Sequence, residues 1–385
     1  MRKILLSALM VSSVLNAAWN IGGATFKGRI SSSEVTSVSN GGTLEDYMAL
    51  RDGVGVKIFM VGDSGGVPDF SNINNALSEI EEGESANDGN NSSVFAQDTT
   101  REEPFVDPSG IVHCYNNPIG SFIEVEGTQY LVVDDSLIRQ IMKIDLDSSQ
   151  AERICTSNVT DLNSLFYGNN PFPIDPPLNI SQWDVSRVTN FAQLFAYKNI
   201  SGDLSQWDTS AAIYMNAMFW NAPSFNGDIS NWNVSNVTNF SQMFWGASSF
   251  NNDLSRWNTS SAQNMGEMFR EATNFNSDLS QWNVSGVSSM EFMFYKATNF
   301  NGDISQWNVF SVTNMDRMFA ITNSFNQDIS AWDISNVINL KQMFTHANGF
   351  NQDLSSWTTK KNPSADTYNF AVGASSWDLV NQPAF

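Results

Sequence analysis

The side chains best suited to bind a metal ion in this chain are aspartates that return at a fixed interval. Each is followed two residues later by serine, and the row consists of Asp203, Asp228, Asp253, Asp278, Asp303, Asp328 and Asp353. Calcium prefers carboxylate and carbonyl oxygens, so this row is a candidate calcium ladder. The alternative is that each carboxylate accepts hydrogen bonds from N–H groups and the serine hydroxyl of its own turn. The glycine–aspartate nonapeptide of calcium-binding β-helices is absent, so we predict no cofactor, with calcium as the alternative.

Side chains for catalysis are scarce. The chain contains two histidines, His113 and His346, and segment 181–357 holds seven lysines and arginines scattered over different positions. No histidine pairs with a carboxylate in any repeat, and a site that cleaves polysaccharide needs a basic residue to take up or neutralise a proton. We therefore predict that the protein is not an enzyme and has no metal site.

The elements that position these side chains are set by a repeat. Tryptophan recurs with a first step of 24 residues and later steps of 25, at Trp183, Trp207, Trp232, Trp257, Trp282, Trp307, Trp332 and Trp357. A period in this range is typical of a solenoid, in which each repeat buries its apolar face against its neighbours. We expect the tryptophans, and the methionines that recur beside phenylalanine, to fill the core.

One repeat predicts both a strand and a helix. Segment 229–237 has apolar residues at its positions 1, 4, 6 and 9, the spacing of a leucine-rich-repeat strand. Phe240, Met243 and Phe244 follow at i, i+3 and i+4, which predicts a short helix with Asn239 as its N-cap. The predicted fold class is an α/β solenoid, a right-handed leucine-rich-repeat-like array of about eight coils with N- and C-terminal caps.

Two sets of outward residues are candidate binding surfaces. The positions before the tryptophans vary from coil to coil, and with Phe310, which stands where other coils have serine, they form a candidate ligand-binding face: Gln206, Asn231, Arg256, Gln281, Gln306 and Phe310. A second variable position, just after the predicted helix, holds a candidate exposed aromatic patch: Trp220, Trp245 and Tyr295. Aromatic side chains are enriched among residues that dominate binding. Drift at an unimportant site is the alternative for Phe310.

Composition and the N-terminus bear on location and partners. The formal net charge is −21, which disfavours nucleic acid and anionic lipid as partners. Arg2 and Lys3, an apolar run and small residues predict a signal peptide over 1–18, so we expect export. In an exported chain the pair Cys114 and Cys155 favours a disulfide, with free buried thiols as the alternative. No later segment is apolar enough to anchor the chain.

The predicted organisation has six parts. After the signal peptide come a region of unknown fold, 19–78, an acidic linker, 79–108, an N-terminal cap unit, 109–156, the repeat solenoid, 157–359, and a C-terminal cap, 360–385. The linker prediction rests on nine acidic residues and one basic residue in segment 79–107.

The repeat pattern D-I/L-S-x-W-N/D-V/T-S-x-V-x-N-M-x-x-M-F-x-x-A-x-x-F-N resembles the BspA-like leucine-rich-repeat surface proteins, which include mycoplasma-type repeat lipoproteins. The resemblance covers 111–385 and implies a secreted or surface-displayed protein that adheres to extracellular protein or cells, with no catalytic residues. The acylated cysteine of the lipoprotein members is missing here. We therefore expect a non-enzymatic binding module for extracellular or cell-surface protein ligands; the alternatives are glycan binding and a structural spacer.

Overall fold

The computed structural model describes residues 103–142, 148–167, 179–198, 200 and 202–385, together with seven short strands between residues 15 and 57. The chain divides into two compact units, Met1–Phe95 and Ala96–Phe385. The predicted signal peptide lies outside the described residues apart from Leu15–Asn16. The predicted acidic linker lies outside them apart from 103–108.

The described part of the first unit consists of short strands: β1 (Leu15–Asn16), β2 (Trp19–Ile21), β3 (Ala24–Phe26), β4 (Arg29–Ile30), β5 (Val35–Ser37), β6 (Met48–Arg51) and β7 (Val54–Lys57). β1 pairs with β4, β2 pairs with β3, and β5, β6 and β7 form a third sheet in that order. Every one of these pairings is antiparallel.

The second unit begins with a small β-structure that precedes the repeats. It contains β8 (Phe105–Val106), β9 (Val112–His113), β10 (Phe122–Val125), β11 (Thr128–Asp134) and β12 (Ile154–Asn158). β8 and β9 pair antiparallel, which places 103–108, the end of the predicted linker, in this cap. β10 and β11 form a hairpin whose turn residues, Glu126 and Gly127, have φ of 51° and 77°. Positive φ at both positions is what a two-residue type I′ turn requires.

Helix α1 (Asp135–Ile141) follows β11 directly, and a short helix α2 (Ser148–Ala151) precedes β12. The Asp134 carboxylate caps α1 by accepting from the Leu137 N–H at 2.8 Å, which satisfies a backbone donor that the helix leaves unpaired. β12 then returns parallel to β11. This return brings the chain beside the first repeat.

Cys114 and Cys155 form a disulfide in this cap, with their Cα atoms 6.4 Å apart. The bridge lies in a core cluster with Val112, Ile123, Val125 and Val132. It joins the segment after β9 to β12, so it links the start of the cap to the strand that leads into the repeats.

Each repeat lies beside the next one. One residue per repeat forms an isolated parallel β-bridge with its counterpart in the following repeat, in the order Asp161, Asn190, Tyr214, Asn239, Asn264, Ser289, Asn314, Asn339 and Asp366. Because most counterparts are 25 residues apart, each 25-residue unit makes one turn of chain before it meets its neighbour.

The prediction of a short helix in each repeat is wrong. Segment 239–246 is a run of turns whose N–H groups, on Phe240, Gln242, Phe244 and Gly246, donate to carbonyls of the next repeat at 2.8–2.9 Å. Gln242 and Gly246 have φ of 61° and 74°, and such left-handed residues are incompatible with a right-handed helix. Nor is 229–237 a strand: it consists of turns and single extended residues. We call 239–246 and its counterparts the ladder segments.

The tryptophans are buried, as predicted. All eight have at most 4% of their surface exposed, and neighbouring indoles such as Trp257 and Trp282 stack with ring centroids 6.2 Å apart. The Trp282 Nε1–H donates to the Leu254 carbonyl at 2.9 Å, and Trp207, Trp232 and Trp257 make the same bond to the preceding coil. The first of the row, Trp183, donates to the Ala151 carbonyl of α2. A buried indole usually has such an acceptor; Trp357, the last of the row, is buried with no hydrogen-bond partner for Nε1 in the described part of the chain.

An asparagine row connects the coils on their outer side. The Asn276 N–H donates to the Asn251 side-chain oxygen at 2.9 Å, and the Asn301 N–H donates to Asn276 at 2.7 Å. The same bond is made by Asn251, Asn326 and Asn351. Each coil thus satisfies an exposed backbone donor of the coil that follows it.

The array ends in a short closing segment. It contains helix α3 (Trp357–Lys360) and a 3-10 helix, Leu379–Asn381. Trp377 is 4% exposed and covers Phe344 and Phe350, with ring centroids 5.0 and 4.6 Å away. Within the described residues, no helix has the length and apolar character needed to cross a bilayer.

Candidate ligand-binding face

The ladder segments present one continuous outward surface, which we call the ladder face. In the repeat of Trp245, Phe240, Met243 and Phe244 point into the core, whereas Ser241, Gln242 and Trp245 are half-buried. The same alternation holds in neighbouring repeats, so the residue after each core phenylalanine stands on this face. The predicted aromatic patch, Trp220, Trp245 and Tyr295, therefore lies on the ladder face, but its residues are half-buried rather than exposed as predicted, because neighbouring coils pack against them.

The aromatic residues of the patch are joined into a longer strip. Trp220 and Trp245 stack with centroids 5.3 Å apart, and Tyr197 meets Trp220 at 4.8 Å. On the other side, the Arg270 guanidinium carbon lies 4.2 Å from the Trp245 ring centroid and 5.2 Å from that of Tyr295. We call Tyr197, Trp220, Trp245, Arg270 and Tyr295 the aromatic strip.

Arg270 is the link that sequence reasoning missed. It occupies the same repeat position as Trp245 and Tyr295, so the signal was present, but a search for aromatic residues passes over an arginine that stacks on them. Its Nη1 donates to the Glu267 carboxylate at 2.6 Å, and Glu267 also accepts from Gln242 at 3.0 Å. The ion pair with Glu267, beside the strip, fixes the guanidinium between the rings, whereas the buried Arg270 Nε has no hydrogen-bond partner in the described part of the chain.

The faces of the central rings are covered by one another. Trp245 has Trp220 against one face, at an interplanar angle of 25°, and Arg270 as its cationic neighbour. What the two indoles offer to solvent is therefore mainly ring edge. Such a strip fits apolar side chains that pack along it better than a sugar ring that must lie flat on an indole.

The other predicted surface lies elsewhere on the coil. Its residues, Gln206, Asn231, Arg256, Gln281, Gln306 and Phe310, are all exposed and belong to the turns around the tryptophans rather than to the ladder segments. We call them the turn row. Amides of this row turn back to the preceding serine, as Gln206 does to Ser205 at 3.1 Å. Phe310 is 52% exposed. The structure does not place the turn row on the ladder face.

The aspartate row is engaged by its own turns. The Asp253 carboxylate accepts from the Ser255 N–H at 2.9 Å, and the same bond recurs in the other six members. The hydrogen bond from the Ser255 N–H holds the pKa of Asp253 below its usual value. These contacts match the turn alternative. Nowhere in the described part of the chain do three or more histidine, cysteine or acidic side chains gather as metal ligands.

A half-buried polar cluster joins the cap to the first coil. His113 contacts the Asp184 carboxylate through Nδ1 at 2.8 Å and Asp107 through Nε2 at 3.2 Å. Tyr115 contacts the same Nδ1 at 3.0 Å and Ser186 at 3.1 Å. His113 and Asp184 are 71 residues apart. No motif or spacing in the sequence indicates that this histidine pairs with a carboxylate of the first coil, and the pairing was not predicted.

Ionisation in this cluster follows from these contacts. Burial alone would lower the pKa of His113, but the hydrogen bonds and charges of Asp184 and Asp107 outweigh it and raise that pKa. Burial would raise the pKa of Asp184, but hydrogen bonds from His113, Ser157 and Ser186 lower it well below its usual range. Both imidazole nitrogens are occupied, so the cluster holds the cap against the first coil.

These features define a repeat protein in which near-identical 25-residue units, capped at the N-terminal end by a disulfide-bonded β-unit, place varied side chains on a constant core. A family described as "Mycoplasma protein of unknown function, DUF285" matches residues 138–233, 196–301 and 277–377. The chain belongs to this family. No curated protein and no solved structure matches the chain.

Proposed function

We propose that this protein is a non-enzymatic binding module, secreted or displayed at the cell surface, which adheres to an extracellular or cell-surface protein through the ladder face. The observation that carries the proposal is the aromatic strip. In its C-terminal continuation, the position after the core phenylalanine holds Ala320 and Thr345 instead of large side chains. A surface that varies over a constant core is how repeat proteins acquire a specific ligand.

The location belongs to the same proposal. A disulfide joins Cys114 and Cys155, and disulfides persist in oxidising compartments outside the cytoplasm. The basic and apolar N-terminal residues supply the export signal. We include in the proposal that the array is a right-handed solenoid of the BspA-like leucine-rich-repeat kind; the parallel bridges between consecutive repeats support it.

The function is tested with full-length protein and a panel of extracellular matrix proteins, whole cells and glycans. Trp245→Ala removes the centre of the aromatic strip, and Phe310→Ala is the matched control, an aromatic truncation on the turn row. For a ligand that the unaltered protein binds, we expect Trp245→Ala to weaken binding about tenfold or more, and Phe310→Ala to leave it unchanged. Both variants are first checked for an unchanged melting temperature.

Two results would contradict the proposal. A ligand whose binding is lost in Phe310→Ala but kept in Trp245→Ala would move the site to the turn row. Absence of binding to every protein and cell type, with self-association of the purified chain, would favour the structural spacer.

Glycan binding is the second candidate, and one contact favours it. Tyr167 and Tyr197 are 41% and 44% exposed and meet edge to face at 5.9 Å. In an edge-to-face pair, one ring points its edge at the other ring. The faces of the first ring are then not covered by its partner, so a sugar can stack on them. Oligosaccharides that change tryptophan emission in the unaltered protein, but not in Trp220→Ala, would support this candidate.

A further inference from the structure

We propose that the C-terminal edge of the ladder is a second binding site, which takes an acidic, extended peptide segment of another protein through a row of main-chain N–H groups. This site goes beyond the ladder face and does not depend on it. It follows from the direction of the hydrogen bonds that connect the coils.

The ladder is polar along the stack. From each inner repeat, four N–H groups point forward to carbonyls of the next coil; in the repeat of Phe240 they belong to Phe240, Gln242, Phe244 and Gly246. Two regular backbone bonds point backward, from the Thr238 N–H to the Ile213 carbonyl at 2.9 Å and from the Ser249 N–H to the Pro223 carbonyl at 3.0 Å. Aligned peptide dipoles add, so donors dominate the C-terminal edge and acceptors dominate the N-terminal edge.

The N-terminal edge shows how the chain itself closes such an end. In later coils, the carbonyls at the positions of Asp161 and Asn163 accept hydrogen bonds from N–H groups of the preceding coil. The carbonyls of Asp161 and Asn163 accept instead from the Arg139 guanidinium of α1, at 3.1 and 2.7 Å. A cation therefore covers the acceptor edge.

The C-terminal edge carries the complementary groups without such a cover. Residues 340–346 donate to the carbonyls of Asp366, Tyr368, Phe370 and Val372, so the forward donors of the last rung are the N–H groups of Thr367, Asn369, Ala371 and Gly373. No residue in the described part of the chain accepts from these four N–H groups. Trp377 closes the aromatic core, but the backbone donors stay open.

The geometry of this rung favours an anion. Asn369 and Gly373 have φ of 55° and 77°, and successive N–H groups around left-handed residues form concavities that bind anions. The Lys341 ammonium reaches forward to 5.8 Å from the Tyr368 ring centroid and offsets the charge of the Asp366 carboxylate, which accepts from the Tyr368 N–H at 2.9 Å. Tyr368 and Val372, 62% and 53% exposed, flank the donors.

These observations select the occupant. A second copy of this chain is disfavoured, because the edge that would match is closed by Arg139. This edge presents more donors than acceptors, so it suits a ligand that is rich in acceptors. Acidic side chains supply carboxylates for the N–H groups, and an extended backbone adds carbonyls, as in recognition by strand addition.

Hydrogen–deuterium exchange of the full-length protein tests the site with a short glutamate peptide and, as matched ligand, a glutamine peptide of equal length. We expect the glutamate peptide to slow exchange in fragments that contain 366–373, and the glutamine peptide to do so less. Binding that is equal for the two peptides, protection elsewhere on the chain, or none at any concentration would overturn the proposal.

A pair of variants locates the charge dependence. Tyr368→Glu places a carboxylate beside the donors at an exposed position, and Tyr368→Gln is its uncharged control. We expect the glutamate variant to weaken binding of the glutamate peptide about tenfold relative to the glutamine variant; equal binding would overturn the proposal. Trp245→Ala should leave this binding unchanged, which separates it from the ladder face. Dimerisation through this edge would also contradict the proposal.

Discussion

The carboxylates of the aspartate row illustrate how one residue per coil shapes a surface. Each carboxylate accepts the N–H of the serine two residues on, as Asp253 does from Ser255 at 2.9 Å. A side chain that replaces a missing backbone partner fixes a turn. The row is therefore explained by turn formation in every coil, and a metal ion is not needed to account for its spacing.

Substitutions at Asp253 distinguish the two roles of this row. Asp253→Ala leaves the Ser255 N–H without its acceptor, and we expect a loss of about 0.5–1.5 kcal/mol in the free energy of unfolding, measured in urea. Asp253→Asn keeps the acceptor and should be nearly neutral. If the asparagine variant were as unstable as the alanine variant, and a chelator lowered the melting temperature of the unaltered protein, the stabilisation by Asp253 would come from its charge and from bound calcium.

Among the elements, the cap unit responds most directly to pH. The raised pKa of His113 means that its charged form stabilises the folded state. That contribution is complete below the unfolded value of about 6.5 and is lost as pH rises through the folded pKa. The lowered pKa of Asp184 gives a contribution that is complete above about 3.9 and is lost as pH falls through its folded pKa.

We therefore expect the cap to be most stable between about pH 4 and pH 6.5 and to weaken above that range. Urea unfolding at about pH 5.5 and about pH 8.5, followed by the near-ultraviolet signal, measures the difference. His113→Gln, which stays neutral, should be less stable at the lower pH and should lose most of the pH dependence between the two. A His113→Gln variant with the same slope as the unaltered protein would contradict this assignment.

The elements also show what sequence could and could not predict. The cap strands and the Glu126–Gly127 turn follow from local signals, since alternation and turn residues act over a few positions. The ladder segments do not. Phe240, Met243 and Phe244 have helical spacing, but Gln242 between them has a positive φ. Glutamine has no special preference for this conformation, so the hydrogen bonds to the next coil select it rather than a local signal.

The aromatic strip was predicted in part for the same reason. Trp220, Trp245 and Tyr295 were predictable as one variable position, because the period alone aligns them. Arg270 and its contact with Trp245 at 4.2 Å depend on side-chain geometry that a repeat alignment does not contain. The ladder face itself could not be distinguished from the turn row once the strand had been assigned to the wrong segment.

At the scale of the whole molecule, stability is shared between neighbouring coils. Each inner coil donates four backbone hydrogen bonds to the next. Five of the seven neighbouring tryptophan pairs also stack. Contacts of this kind make the array nearly one-dimensional, so that its stability is a sum over coils and interfaces.

Removing one whole coil should therefore be tolerated. Deletion of 276–300, a unit of 25 residues, joins two coils in register, and we expect the variant to fold and to melt at a modestly lower temperature. Deletion of 276–287 removes about half a coil and would place polar residues in the core, so we expect loss of cooperative unfolding. Circular dichroism melts compare the two; equal tolerance of both deletions would contradict a register between coils.

The stacking of consecutive repeats is tested most directly by disulfide cross-linking. Asn264 and Ser289 are bridge partners in adjacent coils, and paired strands bring such residues to about 5 Å, within reach of a disulfide. The pair Asn264→Cys and Ser289→Cys should cross-link readily on oxidation, as detected by mass spectrometry. Asn264→Cys with Asn314→Cys, two coils apart at about 10 Å, should not. Efficient cross-linking of the second pair, or failure of the first in a folded protein, would contradict the fold.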